Sequence, residues 1–316
     1  MKLTANGLNI EVDDTGNQGG AARPVVLLIM GLGMQLIAWP EPFVKGLVDA
    51  GYRVVRHDNR DIGLSQGFET AGHGSKAGNG GNLIWQSIRQ RIGLPVHSAY
   101  TLQDMANDSI GVLDALGIDK AHIVGASMGG MIAQRVAATA PERTLSLVSI
   151  MSSSGARGLP GPRRDVGAAL LRRPLGKTEA DLVGYSLRLV KLISSPAYPQ
   201  PDAVMADRIA TGIRRAYRPQ GVVRQMLAIG ADVGREKVLP SITSPTLVLH
   251  GDADALVPMA CGVDTARRIP GAKFIAIPGM GHDLPPEVQQ ILLNHMVPFM
   301  KATETTESTK ANGVTA

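Results

Sequence analysis

The chain has a single cysteine, Cys261, so an intrachain disulfide cannot form and a secreted disulfide framework is excluded. Aromatic residues are scarce, at 3% of the chain, which leaves aliphatic and methionine side chains to fill a core. Long hydrophobic runs are missing too. The strongest, Val25 to Met30, is far too short to span a bilayer. Met1 to Gly7 lack the apolar stretch of a signal peptide, so a cytoplasmic protein with no integral membrane segment is the simplest expectation. No His or Cys cluster has metal-ligand spacing. Gly31-Leu32-Gly33 is followed by Met34-Gln35-Leu36 where a dinucleotide fingerprint needs a third glycine. Gly176-Lys177-Thr178 lacks the glycine that a phosphate-binding loop places five positions earlier. The formal net charge of +5 is modest for 316 residues and implies no nucleic-acid partner.

What is present is periodic. Apolar residues make up 44% of the chain, enough for one large domain or a core domain with an insertion. Residues 3–12 alternate weakly, as an edge strand or hairpin does. Continuous apolar runs at 25–30, 52–58, 121–125, 146–151, 245–250 and 273–277 predict strands, those buried on both faces reading as central and parallel. Helices are expected over 41–50, from Thr101 to Leu116, over 128–140, 259–268 and 287–300, with a short one over 83–93. Thr101 and Asp104 have capping-box spacing, with Asp in place of the usual Glu or Gln. Residues 66–82 are rich in glycine and read as a mobile loop. This alternation implies an α/β class with a mostly parallel sheet covered on both faces. Between Gly155 and Pro240 the rhythm stops. That segment reads as several helices broken by Pro and Gly, and it carries the excess of positive charge. A solvated helical surface is the plain reading of that charge, with an anionic substrate or an anionic surface as alternatives. After Lys301 the chain is rich in Thr, Ser and Glu, and residues 302–316 are expected to be disordered.

Sites in such sheets gather at the carboxyl ends of the strands. There the stretch Gly125-Ala126-Ser127-Met128-Gly129 fits G-x-S-x-G between a strand and a helix. A serine is a weak nucleophile and needs a base, which in turn needs an orienting acid. Of seven histidines, only His57, His250 and His282 lie near strand ends; the first two are followed at once by turn motifs and read as structural. His282, after the last strand, is the base expected. Asp254, after the strand at 245–250, is preferred as the acid over Asp252, whose place after Gly251 suits turn stabilisation. The Met128 N–H, and with it the Leu32 N–H between two glycines, are the expected oxyanion donors. Met34, Met128, Met131, Met151, Met259 and Met280 lie in or near these loops; core packing accounts for most, and an adaptable acyl pocket is the other reading.

Together, Met30-Gly31-Leu32-Gly33, Asp58 to Ser65, Gly125 to Gly129, Gly251 to Asp254 with Val257-Pro258, and Gly279 to His282 resemble the α/β-hydrolase family, in particular its capped esterase and lactonase-like members. The likeness spans about residues 8–300. It implies an eight-stranded, mostly parallel sheet with helices on both faces, a core of 1–154 and 241–301, and a helical cap of 155–240 over the site. It implies no cofactor or metal. The chain departs from the family pattern twice. Met30-Gly31 stands where many relatives carry His-Gly, and Asp61 and Ile62 depart from the usual D-x-R-G-x-G-x-S turn, which is assigned structure rather than catalysis. Serine rather than aspartate at the elbow argues against epoxide hydrolase and haloalkane dehalogenase chemistry. The expected activity is therefore hydrolysis of a small-molecule carboxylic ester. A lactonase, a perhydrolase-like haloperoxidase or an acyltransferase would use the same residues, and a ligand-binding or signalling module retaining the fold is the reading from another class. The sequence leaves oligomeric state open.

Overall fold

A computed structural model describes residues 1–17, 22–68, 96–170, 172 and 174–313, with side chains through residue 305. The helix expected over 83–93 and most of the loop expected over 66–82 lie outside the described residues.

The chain opens with a hairpin, β1 (Lys2–Ala5) and β2 (Leu8–Asp14). Asn6 and Gly7 both take positive φ, 48° and 75°, the geometry whose twist matches a two-residue hairpin turn. There follow β3 (Val25–Ile29), α1 (Glu41–Asp49), β4 (Arg53–His57), α2 (Leu102–Ala115), β5 (Ala121–Ala126), α3 (Met128–Thr139) and β6 (Thr144–Ile150). Four helices come next: α4 (Arg164–Leu170), α5 (Glu179–Ile193), α6 (Asp202–Arg215) and α7 (Pro219–Ala231). The alternation then resumes with β7 (Thr246–Gly251), α8 (Met259–Arg268), β8 (Lys273–Ile277) and α9 (Pro286–Gly313). Among the described residues the strands form one eight-stranded sheet in the order β1-β2-β4-β3-β5-β6-β7-β8. Only the β1–β2 and β2–β4 pairs are antiparallel.

The apolar runs split by parity, because successive strand side chains point to opposite faces. Leu27 and Ile29 pack with Leu102, Met105, Ile132 and Val136 of α2 and α3. Val26 and Leu28 pack on the other face with Phe43 and Leu47 of α1 and Leu292 and Met296 of α9. Each fully buried aliphatic side chain of this kind contributes about 1.5–3 kcal/mol. The capping box expected at Thr101 forms: its hydroxyl accepts the Asp104 N–H at 3.1 Å, and the Asp104 carboxylate accepts the Thr101 N–H at 2.8 Å. Thr178 and Asp181 do the same for α5. Among the described residues no helix is long and apolar enough to cross a membrane.

The closing helix departs from expectation. Rather than ending at Met300 before a disordered tail, α9 continues to Gly313. Thr303 is buried, and the Glu304 carboxylate receives the Tyr52 hydroxyl at 2.9 Å and lies 3.1 Å from His122 Nε2. A buried polar pair beneath the sheet thus gives this polar stretch a binding partner that its composition does not reveal.

Candidate active site

Ser127 is the single residue between β5 and α3 and carries φ 56° and ψ −123°. A non-glycine residue there is strained, and the strain is held by its surroundings. The Ser127 N–H donates to Ile150 O at 2.9 Å, and Ser152 Oγ donates to Ser127 O at 2.7 Å. A Cβ at Gly125 would overlap the Gly129 carbonyl, and one at Gly129 would overlap the carbonyls of Ile29 and Met30. Both glycines are therefore required for the sharp turn that leaves the serine partly exposed at the sheet's carboxyl edge.

His282 and Asp254 converge on that serine from the loops after β8 and β7. His282 Nε2 lies 2.9 Å from Ser127 Oγ, and His282 Nδ1 lies 2.7 Å from Asp254 Oδ2. The other Asp254 oxygen accepts the N–H groups of Leu256 at 2.9 Å and Val257 at 2.8 Å. Burial pushes the Asp254 carboxyl up, but the charge of His282, the nearby His250 ring and hydrogen bonds from His282 and the Val257 N–H overcome it. The carboxyl is held well below the usual carboxylate range. Asp252 bonds elsewhere, accepting the Gly279 N–H at 2.6 Å, and so ties the β7 loop to the loop that carries His282.

The two expected oxyanion donors come from the start of α3 and from the loop after β3 that passes next to the serine. Met128 is the first residue of α3, and its N–H begins the helix's unpaired positive end. Leu32 follows Gly31, whose Cβ position is 3.0 Å from Ser127 Cβ and 3.5 Å from its Oγ. Among the described residues neither N–H has a protein acceptor. Met128, Met131, Met151 and Met280 are buried in the two core clusters, while Met34 is half exposed.

The helical segment after β6 meets these loops directly. Gln225 of α7 accepts the Gly33 N–H at 2.9 Å and donates to Arg60 O at 3.1 Å. Arg215 of α6 pairs with Asp58 at 2.7 Å, and Arg224 of α7 pairs with Asp61 through two bonds, at 2.5 and 2.8 Å. Much of the segment's positive charge is thus engaged, since Arg163, Lys191, Arg214 and Arg235 also pair with carboxylates inside the segment.

Three contacts around these loops are not legible in the sequence. His250 is a structural hydrogen-bonding group as expected, donating from Nε2 to Val257 O at 2.7 Å. The same atom also lies 3.5 Å from Asp254 Oδ2, so it stands beside that carboxylate as well. Its place at the end of the strand that precedes Asp254 was the available signal. Asp61, noted only as a departure, adopts φ 73° and serves as the anchor for Arg224. Gln225 carried no signal, because nothing in the local pattern sets it apart from Gln220 and Arg224 of the same helix.

The sequence model described as the alpha/beta hydrolase fold matches residues 24–287. Rhodomycin D methylesterase DauP of Streptomyces sp. (strain C5) is 29% identical over 296 residues, spanning 87% of this chain and 90% of that protein. The 2-hydroxy-6-oxononadienedioate/2-hydroxy-6-oxononatrienedioate hydrolase of Pseudomonas sp. is 26% identical over 276 residues, spanning 87% and 85%. Among solved structures, the enol-lactonase from Burkholderia xenovorans LB400 superposes with a TM-score of 0.71 at 20% identity, covering 95% of this chain and 100% of that one; this likeness concerns the fold alone.

Proposed function

The chain belongs to the alpha/beta hydrolase fold family, and from that premise we propose that it is a serine hydrolase that cleaves small-molecule carboxylic esters through an acyl-enzyme. The observation that carries this reading is the unbroken hydrogen-bonded relay from Asp254 through His282 to Ser127 Oγ, assembled from three separate strand ends. Ser127 Oγ attacks the ester carbonyl while His282 Nε2 takes its proton and passes it to the leaving alkoxide. Asp254, kept ionised, fixes the ring with its proton on Nδ1 and stabilises the imidazolium. The N–H groups of Met128 and Leu32 receive the oxyanion, each such donor being worth about 10²- to 10³-fold in rate. Water, activated by His282, then releases the acid. The methylesterase relative supports an ester over other acyl substrates. Residues 155–240 act as the cap, and their packing over the loops sets acyl preference.

The test is a panel of methyl and p-nitrophenyl esters with short and long acyl chains. Wild type should hydrolyse a subset, and Ser127→Ala should lose about 10⁴-fold or more in kcat. A serine-directed phosphonate should label Ser127 alone in the peptide map. Turnover surviving in Ser127→Ala would overturn the mechanism. Failure of wild type on every ester would favour a binding module.

A further inference from the structure

Three consecutive residues around the proposed base are all bonded to one short stretch of the cap. The Gly281 N–H donates to Ser195 Oγ at 2.9 Å, and the His282 N–H donates to Ile193 O at 2.6 Å. Asp283 Oδ1 accepts both the Ser195 N–H, at 2.9 Å, and the Ser195 hydroxyl. Ile193 ends α5 and Ser194 and Ser195 follow it, where the last helix carbonyls have no partner within the helix. The His282 N–H supplies one. The fit is close: a Cβ at Gly281 would stand 2.5 Å from Ile193 O and 2.6 Å from the Ser194 carbonyl carbon. Ser195 is buried, so these bonds are shielded from competing water. Next to this clasp, Ala197 N–H donates to Gly279 O at 3.3 Å and Tyr198 Oη to Pro278 O at 3.1 Å.

We propose that Ser195 and Asp283 are positioning residues, which clasp the His282 backbone to the end of α5 and so fix the reach of its imidazole to Ser127. The inference rests on the function proposed above. The side chain of His282 then has two anchors of different origin. Asp254, on the core, orients the ring; the cap holds the backbone from which the ring projects. An ångström of misplacement in such a relay costs on the order of 10²-fold in rate, while ground-state binding of the ester is unaffected. The clasp therefore acts on kcat rather than KM.

The variants are Ser195→Ala, Asp283→Ala and Asp283→Asn, with p-nitrophenyl butyrate as the ester and the phosphonate as a second probe. Ser195→Ala and Asp283→Ala should lower kcat by about tenfold or more with KM within about twofold, and phosphonate labelling should slow by the same factor. Asp283→Asn keeps the acceptor for Ser195 and should stay within about threefold of wild type. A folded Ser195→Ala with wild-type kcat and labelling rate overturns the clasp, as does a rise in KM with kcat unchanged. If Ser195→Ala does not fold, equal kcat in Asp283→Ala and Asp283→Asn overturns it instead. Turnover and labelling that do not depend on Ser127 would overturn the underlying function, an outcome separate from failure of the clasp.

Discussion

Of the Ser127, His282 and Asp254 side chains, that of Asp254 makes the most hydrogen bonds. One oxygen faces His282 Nδ1 and, more distantly, His250 Nε2; the other takes two backbone N–H groups of its own turn. Those backbone bonds are the Asx-type turn expected of an aspartate in a loop, so one side chain both builds its loop and holds the ring of His282, the proposed base. With its carboxyl held far below the ordinary range, it is ionised at neutral pH. Asp254→Asn keeps the shape of the turn but presents an amide that does not hold the productive imidazole tautomer. The expected result is a fall in kcat of about 10⁴-fold with little change in KM, read from steady-state kinetics on the best ester. A loss under about tenfold would remove Asp254 from the relay.

At the scale of elements, the loops after β3, β5, β7 and β8 were legible because each demands a particular residue type at a strand's end. An elbow needs glycines two before and two after the serine, and a relay needs a histidine and an acid on neighbouring loops. The strands themselves were legible from their apolar runs, since β3 and β5 are buried along their whole length. The clamps from the helical segment were not legible. Gln225 and Gly33 are separated by 192 positions, and Arg215 and Asp58 by 157, so neither helix periodicity nor spacing links them. Asp61 was visible as a departure from its family turn, but not as the anchor of Arg224. Gln225 offers the direct test of such a clamp. It is fully buried and joins the proposed oxyanion loop to Arg60 O. Gln225→Leu leaves the half-buried Gly33 N–H and the buried Arg60 carbonyl unpaired, the latter costing about 1–3 kcal/mol. The melting temperature should fall, and kcat should drop by about tenfold as the Leu32 N–H loses its placement. Gln225→Glu, which retains the acceptor for Gly33, should recover part of that rate. Full activity in Gln225→Leu would show that the oxyanion loop holds its shape without the cap.

The whole molecule carries a histidine that no mechanism uses. His57 ends β4 beneath the site, is buried, and touches Ser109 Oγ with Nε2 at 3.3 Å. Among the described residues its Nδ1 has no partner. Burial lowers its pKa from 6.5 to about 4. The unfolded chain therefore takes up this proton in a pH range where the folded chain refuses it. The stabilising difference is complete above the unfolded value and is lost as pH falls toward the folded one. Each pH unit within that window removes about 1.4 kcal/mol, so His57 alone withdraws about 3 kcal/mol across it. That is a large share of the roughly 5–15 kcal/mol by which a domain is stable. Denaturant unfolding of wild type and His57→Gln through this window separates the proton from the packing. The packing cost of the substitution appears at every pH, whereas the proton appears only in the slope. The slope of unfolding free energy against pH should be shallower in His57→Gln by one proton's worth within the window and equal to wild type above it. Identical slopes throughout would mean that His57 becomes charged in the folded chain as readily as in the unfolded one.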